Sequence, residues 1–279
     1  MSIDFSTLQG LSIPEGVVKQ IADASGVVLW SAVSDKVILE VEKITSDTYA
    51  AETTYTGESF ILLDIYPKTN GTVNVTYGGL TKTVTDTSGA EGFNSQKVFF
   101  GTFNGVSDSV TTPASGTLTI EGDCYAVGCS VFNYADKSSK QYTGVTEIKS
   151  LGNVTEIPYQ AFGSTSSGSC TKIQNVEIPN SVTTIDDCAF INCTGLTNVT
   201  VGGSVEYIGM MTFSNCTGLT SVTFTNTSGW YVTTTEGGDI STGTSVDVSD
   251  PTNNALLLSG GNDVGGYGGY YWYRQKEVS

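Results

Sequence analysis

Three stretches in the second half of the chain share one arrangement of apolar positions. Ile173-Gln-Asn-Val176-Glu-Ile178, Leu196-Thr-Asn-Val199-Thr-Val201 and Leu219-Thr-Ser-Val222-Thr-Phe224 each read apolar-x-x-apolar-x-apolar, and Leu196 and Leu219 lie 23 residues apart. Nine residues after the middle anchor comes a further apolar point, Ile185 after Val176 and Ile208 after Val199. Cys-Thr-Gly recurs at Cys193 and Cys216, and a phenylalanine at Phe190 and Phe213. A fixed period of this size predicts stacked coils with short parallel strands, a solenoid of the leucine-rich-repeat kind. The array is expected to begin at Val145-Thr-Glu-Ile148 and to run through Val154-Thr-Glu-Ile157, Val182-Thr-Thr-Ile185 and Val205-Glu-Tyr-Ile208. Ile157 and Ile185 are 28 residues apart, and the surplus falls in the Gly- and Ser-rich segment 163–169, read as a loop insertion.

The pattern before the repeat is different. Runs of β-formers recur at short spacing, at Val37 to Val41, Phe60 to Tyr66, Thr72 to Tyr77, Lys97 to Phe103, Thr117 to Glu121 and Tyr125 to Phe132, and Val73, Val75 and Tyr77 alternate with Asn74 and Thr76. Asn70-Gly71 and Gly78-Gly79 are hairpin turn signals. About seven strands with turns between them predict an immunoglobulin-like β-sandwich over residues 36–138, without the Cys…Trp…Cys signature of antibody domains. Residues 1–35 read as an arm, with β-rich runs at Val17 to Ile21 and Val27 to Trp30 around the turn Asp23-Ala-Ser-Gly26. It is too small for a core of its own and is expected to dock elsewhere. The fold class is therefore mainly β: arm, sandwich, a solenoid over 145–231, and a capping segment over 232–279.

After Phe224 the period fails, and aromatics gather at Trp230, Tyr231, Tyr270, Tyr271 and Trp272. Stacked coils need their open end covered, so these residues are expected to cap the array. The alternative is a binding patch for protein or sugar, because aromatic side chains dominate many recognition surfaces.

Composition narrows the chemistry. The chain has 279 residues with 28 acidic and 12 basic, a net charge of −16, and Arg274 is its sole arginine. Nucleic acid and anionic membranes are thereby disfavoured as partners. Histidine is absent, which removes Ser-His-Asp and Cys-His catalysis and His-ligated zinc. Of the six cysteines, Cys170, Cys193 and Cys216 are spaced by 23 and each precedes a strand anchor by three, so a ladder of reduced buried thiols is expected; Cys124 and Cys129 could pair. No basic, apolar leader and no run of about 20 apolar residues is visible. Seven Asn-x-Ser/Thr sequons follow from the Asn- and Thr-rich turns. Asp186-Asp187 reads as a solvated turn pair, and Glu236, Asp239, Asp247 and Asp250 match no calcium-loop spacing. No cofactor and no metal site is expected.

The repeat resembles the BspA-like leucine-rich repeat family. Ala189-Phe190, Cys193-Thr-Gly-Leu196-Thr and Ile178-Pro-Asn-Ser-Val182-Thr-Thr-Ile185 carry the likeness, with departures at Met211-Thr-Phe213, which lacks the Ala, and Val201-Gly-Gly-Ser204, which lacks the Pro. The resemblance implies a family that includes bacterial surface adhesins and many gut bacterial and phage proteins, with no shared catalytic residues. The segment Val17 to Trp30 also resembles N-terminal segments of phage and prophage tail and virion-associated proteins. The expectation is a non-enzymatic binding or structural protein, a virion component for tail, receptor-binding or decoration roles. Its arm would anchor to other virion or surface proteins and its solenoid would face a host-cell protein or glycan. Alternatives are a bacterial surface or secreted adhesin and a tail-spike glycan depolymerase. Self-association is a further option, and no nucleic acid or membrane insertion is expected.

Overall fold

The computed structural model describes residues 20–22, 28–31, 35–45, 59–86, 96–103, 106–128, 144–163, 171–238, 240–260 and 265–275. The chain divides into two compact units, Met1–Ser34 and Asp35–Ser279. In the first, β1 (Gln20–Ala22) and β2 (Val28–Ser31) pair antiparallel, with Ile21 opposite Trp30. The turn expected at Asp23–Gly26 lies outside the described residues.

The second unit is mainly β, with one short helix among the described residues. Its N-terminal part holds β3 (Val37–Glu42), β4 (Ile44–Thr45), β5 (Ser59–Pro67), β6 (Thr72–Tyr77), β7 (Leu80–Thr85), β8 (Gln96–Phe103), β9 (Val106–Ser107), β10 (Ser115–Gly122), β11 (Cys124–Gly128) and β12 (Val145–Leu151). One sheet runs β12-β3-β10-β6-β7 and the other β11-β5-β8-β9, with β4 on β5. Every pairing in both is antiparallel. Period-two alternation sends Val37, Leu39 and Val41 of β3 and Val73, Val75 and Tyr77 of β6 into one interior. They meet Ile61, Leu63, Ile65, Val98 and Phe100 of the second sheet there. Tyr77 and Phe100 cross between the sheets edge to face, with centroids 5.6 Å apart. Strand β5 is buried on both faces, which suits its apolar run over residues 60–63, and its buried Asp64 pairs with Lys97.

Val145–Leu151, which the spacing places at the start of the repeat, is instead the edge strand of the first sheet. Val145 pairs with Val41, Ile148 with Leu39 and Leu151 with Val37, with irregularities of register between Val145 and Glu147 and between Ile148 and Ser150. Each irregularity adds a residue to β12, so its i, i+3, i+6 apolar positions all reach the same buried face. A spacing that suits a coil thus also suits a doubly bulged strand.

The repeat proper contains β13 (Glu156–Ile157), β14 (Asn175–Glu177), β15 (Thr184–Ile185), β16 (Asn198–Val201), β17 (Tyr207–Ile208) and β18 (Ser221–Phe224). They form two parallel ladders, β13-β15-β17 and β14-β16-β18. Val176 lies beside Val199 and Val199 beside Val222, and Ile157, Ile185 and Ile208 align in the same way. Phe162, Phe190 and Phe213 are fully buried and stack at 5.4 Å intervals. The Cys193 thiol donates to Phe162 O at 3.3 Å and the Cys216 thiol to Phe190 O at 3.1 Å, so each thiol ties its coil to the preceding one. Cys124 is free and buried; Cys129 and Cys170 lie outside the described residues. The coils turn through left-handed residues at equivalent positions, Gln160, Cys188 and Met211, and again at Asn192 and Asn215. The Asn215 amide donates to Asn192 Oδ1 at 3.0 Å, which continues the stacking outside the core.

Both ladders are closed by the residues that follow. The helix α1 (Pro251–Ser259) opens on the N-cap Asp250, whose Oδ1 accepts from Thr252 N and Asn253 N, and has Pro251 in its first turn. Asn254, wholly buried, donates through Nδ2 to Val222 O at 2.9 Å and to Val248 O at 2.8 Å. The helix thus takes a carbonyl at the free edge of β18. On the other ladder, β19 (Trp230–Thr233), β20 (Thr244–Ser245) and β21 (Tyr271–Arg274) extend the sheet to the order β13-β15-β17-β21-β19-β20. Strand β21 runs antiparallel to β17, so no further coil can be added there in the same sense.

Candidate functional site

Five of the six strands of this last sheet turn an apolar residue inward, and the edge strand β20 is polar and exposed. Ile157, Ile185, Ile208, Trp272 and Val232 form that row and are all buried. Period-two alternation places their partners in register, Glu156, Thr184, Tyr207, Tyr273 and Tyr231, on the outer face. Asp186 and Tyr271, two residues along from Thr184 and Tyr273, fall on the same face by the same alternation.

The aromatics singled out in the sequence divide between core and surface. Trp230 and Trp272 are 3% and 1% exposed and pack against Phe224, with centroids 4.9 and 6.4 Å away. Their indole N–H groups donate to Asn226 O and Tyr267 O. These two side chains are structural and offer no surface to a ligand. Tyr270 is half-buried and packs edge-on against Tyr267 at 5.2 Å. Tyr231 and Tyr271 are half-buried and join two tyrosines that the sequence reading did not select. Ring centroids are 5.7 Å apart for Tyr231 and Tyr273, 5.2 Å for Tyr207 and Tyr273, and 6.5 Å for Tyr207 and Tyr271. The missed column was legible: in Val-Thr-Glu-Ile157, Val-Thr-Thr-Ile185 and Val-Glu-Tyr-Ile208 the third position is the outward one, and it carries Glu156, Thr184 and Tyr207.

The turns beside this row are acidic. Asp186 and Asp187 are half-buried, not the solvated pair expected from their sequence. The Asp187 carboxylate accepts from Met210 N at 2.7 Å and from the Tyr207 hydroxyl at 3.4 Å. A Cβ at position 209 would collide with both the backbone and the carboxylate of Asp187, so glycine is required there. Burial pushes the Asp186 carboxyl above its ordinary range, and the negative charges of Asp187 and Glu236 push it further. Burial does the same to Glu156, with Asp186 adding repulsion. The Tyr207 hydroxyl is raised by burial first and by Asp187 next, and burial lifts the Cys188 thiol to about 11. Five ion pairs are formed among the described residues, and none includes Glu156, Asp186, Asp187 or Glu236. Nor, among those residues, do three or more His, Cys, Asp or Glu side chains come together in a way that could hold a metal ion. The site is an anionic, tyrosine-lined sheet face over a buried apolar row. It is suited to binding.

Among the described residues no helix is long and apolar enough to cross a membrane. The fold and this face define a mainly β repeat protein. Residues 133–234 match, in six copies, the family model described as the BspA type leucine rich repeat region. The matched span begins ahead of β12, the strand that the structure builds into the first sheet. No curated protein and no solved structure matches the chain.

Proposed function

We propose that this chain is a non-enzymatic recognition protein whose stacked coils act as a leucine-rich-repeat solenoid and present the tyrosine-lined sheet face to a partner. The two N-terminal sheets serve as an immunoglobulin-like spacer, and the arm over residues 1–35 as the attachment to a larger assembly. The observation that carries this reading is the outer row of the six-stranded sheet. Half-buried tyrosines, and acids with no counter-ion among the described residues, stand there on backbone held from below by an apolar row. Preorganised side chains of this kind bind with little loss of entropy. The virion setting expected from the sequence, with a bacterial surface adhesin as its alternative, belongs to the same proposal.

Saturable binding of the labelled protein to the surface of intact host cells tests recognition. Substituting Tyr271→Ala and Tyr231→Ala together is expected to weaken it, and binding unchanged by that pair would remove this face from the reading. Mass spectrometry of purified particles tests the setting: the chain should co-purify with them, and its absence would favour the adhesin. Release of reducing ends from host polysaccharide by the purified protein would overturn the non-enzymatic reading in favour of a depolymerase.

A further inference from the structure

The chemistry of the partner follows from how the tyrosines stand. At 5.2 and 5.7 Å between centroids, the Tyr207, Tyr273 and Tyr231 rings are too close to lie flat beside one another on the sheet. Tyr231 and Tyr273 are stacked with 25° between their planes, and Tyr207 is tilted at 48° to Tyr273. Two of the hydroxyls are also taken by the frame. Tyr207 donates to Asp187 Oδ1, and Tyr273 accepts from Gly237 N at 2.6 Å. A pyranose ring recognised by stacking needs an open aromatic face, and in this row the facing sides of Tyr231 and Tyr273 are closed to one. What it offers is a fixed apolar rim bordered by carboxylates.

Among the described residues, those carboxylates have no lysine or arginine within ion-pair distance. In the described structure Glu40, Glu42, Asp64, Asp108 and Glu121 each have a lysine within ion-pair distance. From residue 173 onward the chain carries ten acidic residues and only two basic ones, Arg274 and Lys276. Arg274 is directed elsewhere, donating from Nε to Val205 O at 2.9 Å. Glu156 lies on β13 and Asp186 directly follows the neighbouring strand β15, and the Gly237 N–H bonded to Tyr273 brings Glu236 to this face, with no lysine or arginine among the described residues in ion-pair distance of the three. Each ionised group raises the free energy of its neighbours, a cost that a bound cation would relieve.

We propose that this face binds a basic polypeptide segment, with lysine or arginine side chains laid across the tyrosine rims and their charged heads set among Glu156, Asp186 and Glu236. This rests on the recognition reading above and names its ligand class. A lysine or arginine side chain matches both halves of the surface, because its methylene stem is apolar and its head cationic. Tyr159, 49% exposed, stands beside Asp186 and Asp187 and adds an open aromatic ring for a cation. A second copy of this chain is a poor occupant, since each copy carries a charge of −16.

The test uses the full chain and a fluorescent oligolysine peptide, read by anisotropy. The triple variant E156Q/D186N/E236Q is expected to lose about tenfold or more in affinity, as removal of a hot-spot cluster does. A control removing three acids elsewhere, E121Q/E177Q/D247N, changes net charge equally and should stay within about twofold if the face, and not overall charge, attracts the peptide. Tyr159→Ala should weaken binding by about threefold or more with every acid in place. Equal losses in the triple variant and its control would reduce the effect to diffuse electrostatics and overturn the proposal. So would saturable binding of neutral oligosaccharides that the Tyr159→Ala variant loses. Host-cell binding that survives in E156Q/D186N/E236Q would sink the basic-segment inference while leaving the recognition reading intact. Circular dichroism melts of each variant separate loss of binding from loss of fold.

Discussion

The two-sheet region and the repeat region bury similar side chains, and one carboxylate from each, Asp108 and Asp186, is treated in opposite ways. Asp108 in the first region has a side chain only 5% exposed, and it accepts from Gly101 N at 2.7 Å while pairing with Lys82. Lys82 in turn donates to Phe99 O and lies over the Phe99 ring at 4.1 Å. Asp186 in the second region is half-buried and faces Asp187 and Glu236, with no lysine or arginine in ion-pair distance among the described residues. The first arrangement holds strands together that are distant in sequence. The second leaves free energy unspent on the surface of a frame that needs no charge to hold it, because its coils are joined by apolar columns and backbone ladders. Where a fold is secured by periodic packing, its outer face is free to carry groups chosen for something other than stability.

That contrast can be broken most directly from within the columns. Phe190→Ala removes the middle ring of the three-ring stack and should cost about 3–5 kcal/mol, measured by urea denaturation. A loss under about 1 kcal/mol would mean that the column is not what binds the coils. Next in size is Asp108→Ala, which strands Lys82 and the Gly101 N–H and should cost about 2–3 kcal/mol. A neutral result there would erase the difference between paired and unpaired acids. Asp250→Ala deletes the cap of the helix that closes β18 and should cost about 1 kcal/mol, read as faster hydrogen exchange of the amides in residues 252–259. The smallest effect has the opposite sign. Asp186→Asn keeps the side-chain oxygen that accepts from Asp187 N and removes a charge that burial and its neighbours disfavour. It should raise stability at neutral pH by up to about 0.5 kcal/mol, kept small by solvent screening.

The pH dependence of that last variant follows from linkage. With the folded-state value of Asp186 above the unfolded one, the folded protein binds the proton more tightly. The penalty is fully present above the folded value, declines as pH falls through it, and is gone below the ordinary carboxylate value. The advantage of Asp186→Asn should therefore shrink on acidification and vanish near the low end of that window. A constant offset at all pH values would show that the carboxylate's charge is not the cause.

The sequence by itself determined the repeating unit. The columns Val176-Val199-Val222 and Phe162-Phe190-Phe213 follow from spacing alone, because coils of one length bring the same positions together whatever surrounds them. It also held the outward column of Glu156, Thr184 and Tyr207, and the Asp250-Pro251 start of α1, as signals a few residues long. Tertiary structure decided what those signals meet. Val145–Leu151 became a sheet edge because β3 offered a partner and irregularities of register aligned its apolar residues. Trp230 and Trp272 became core while Tyr207, Tyr231, Tyr271 and Tyr273 became surface because β21 returns antiparallel between β17 and β19. A strand's pairing partner fixes which of its faces is buried, and that partner lies too far along the chain for local spacing to name it.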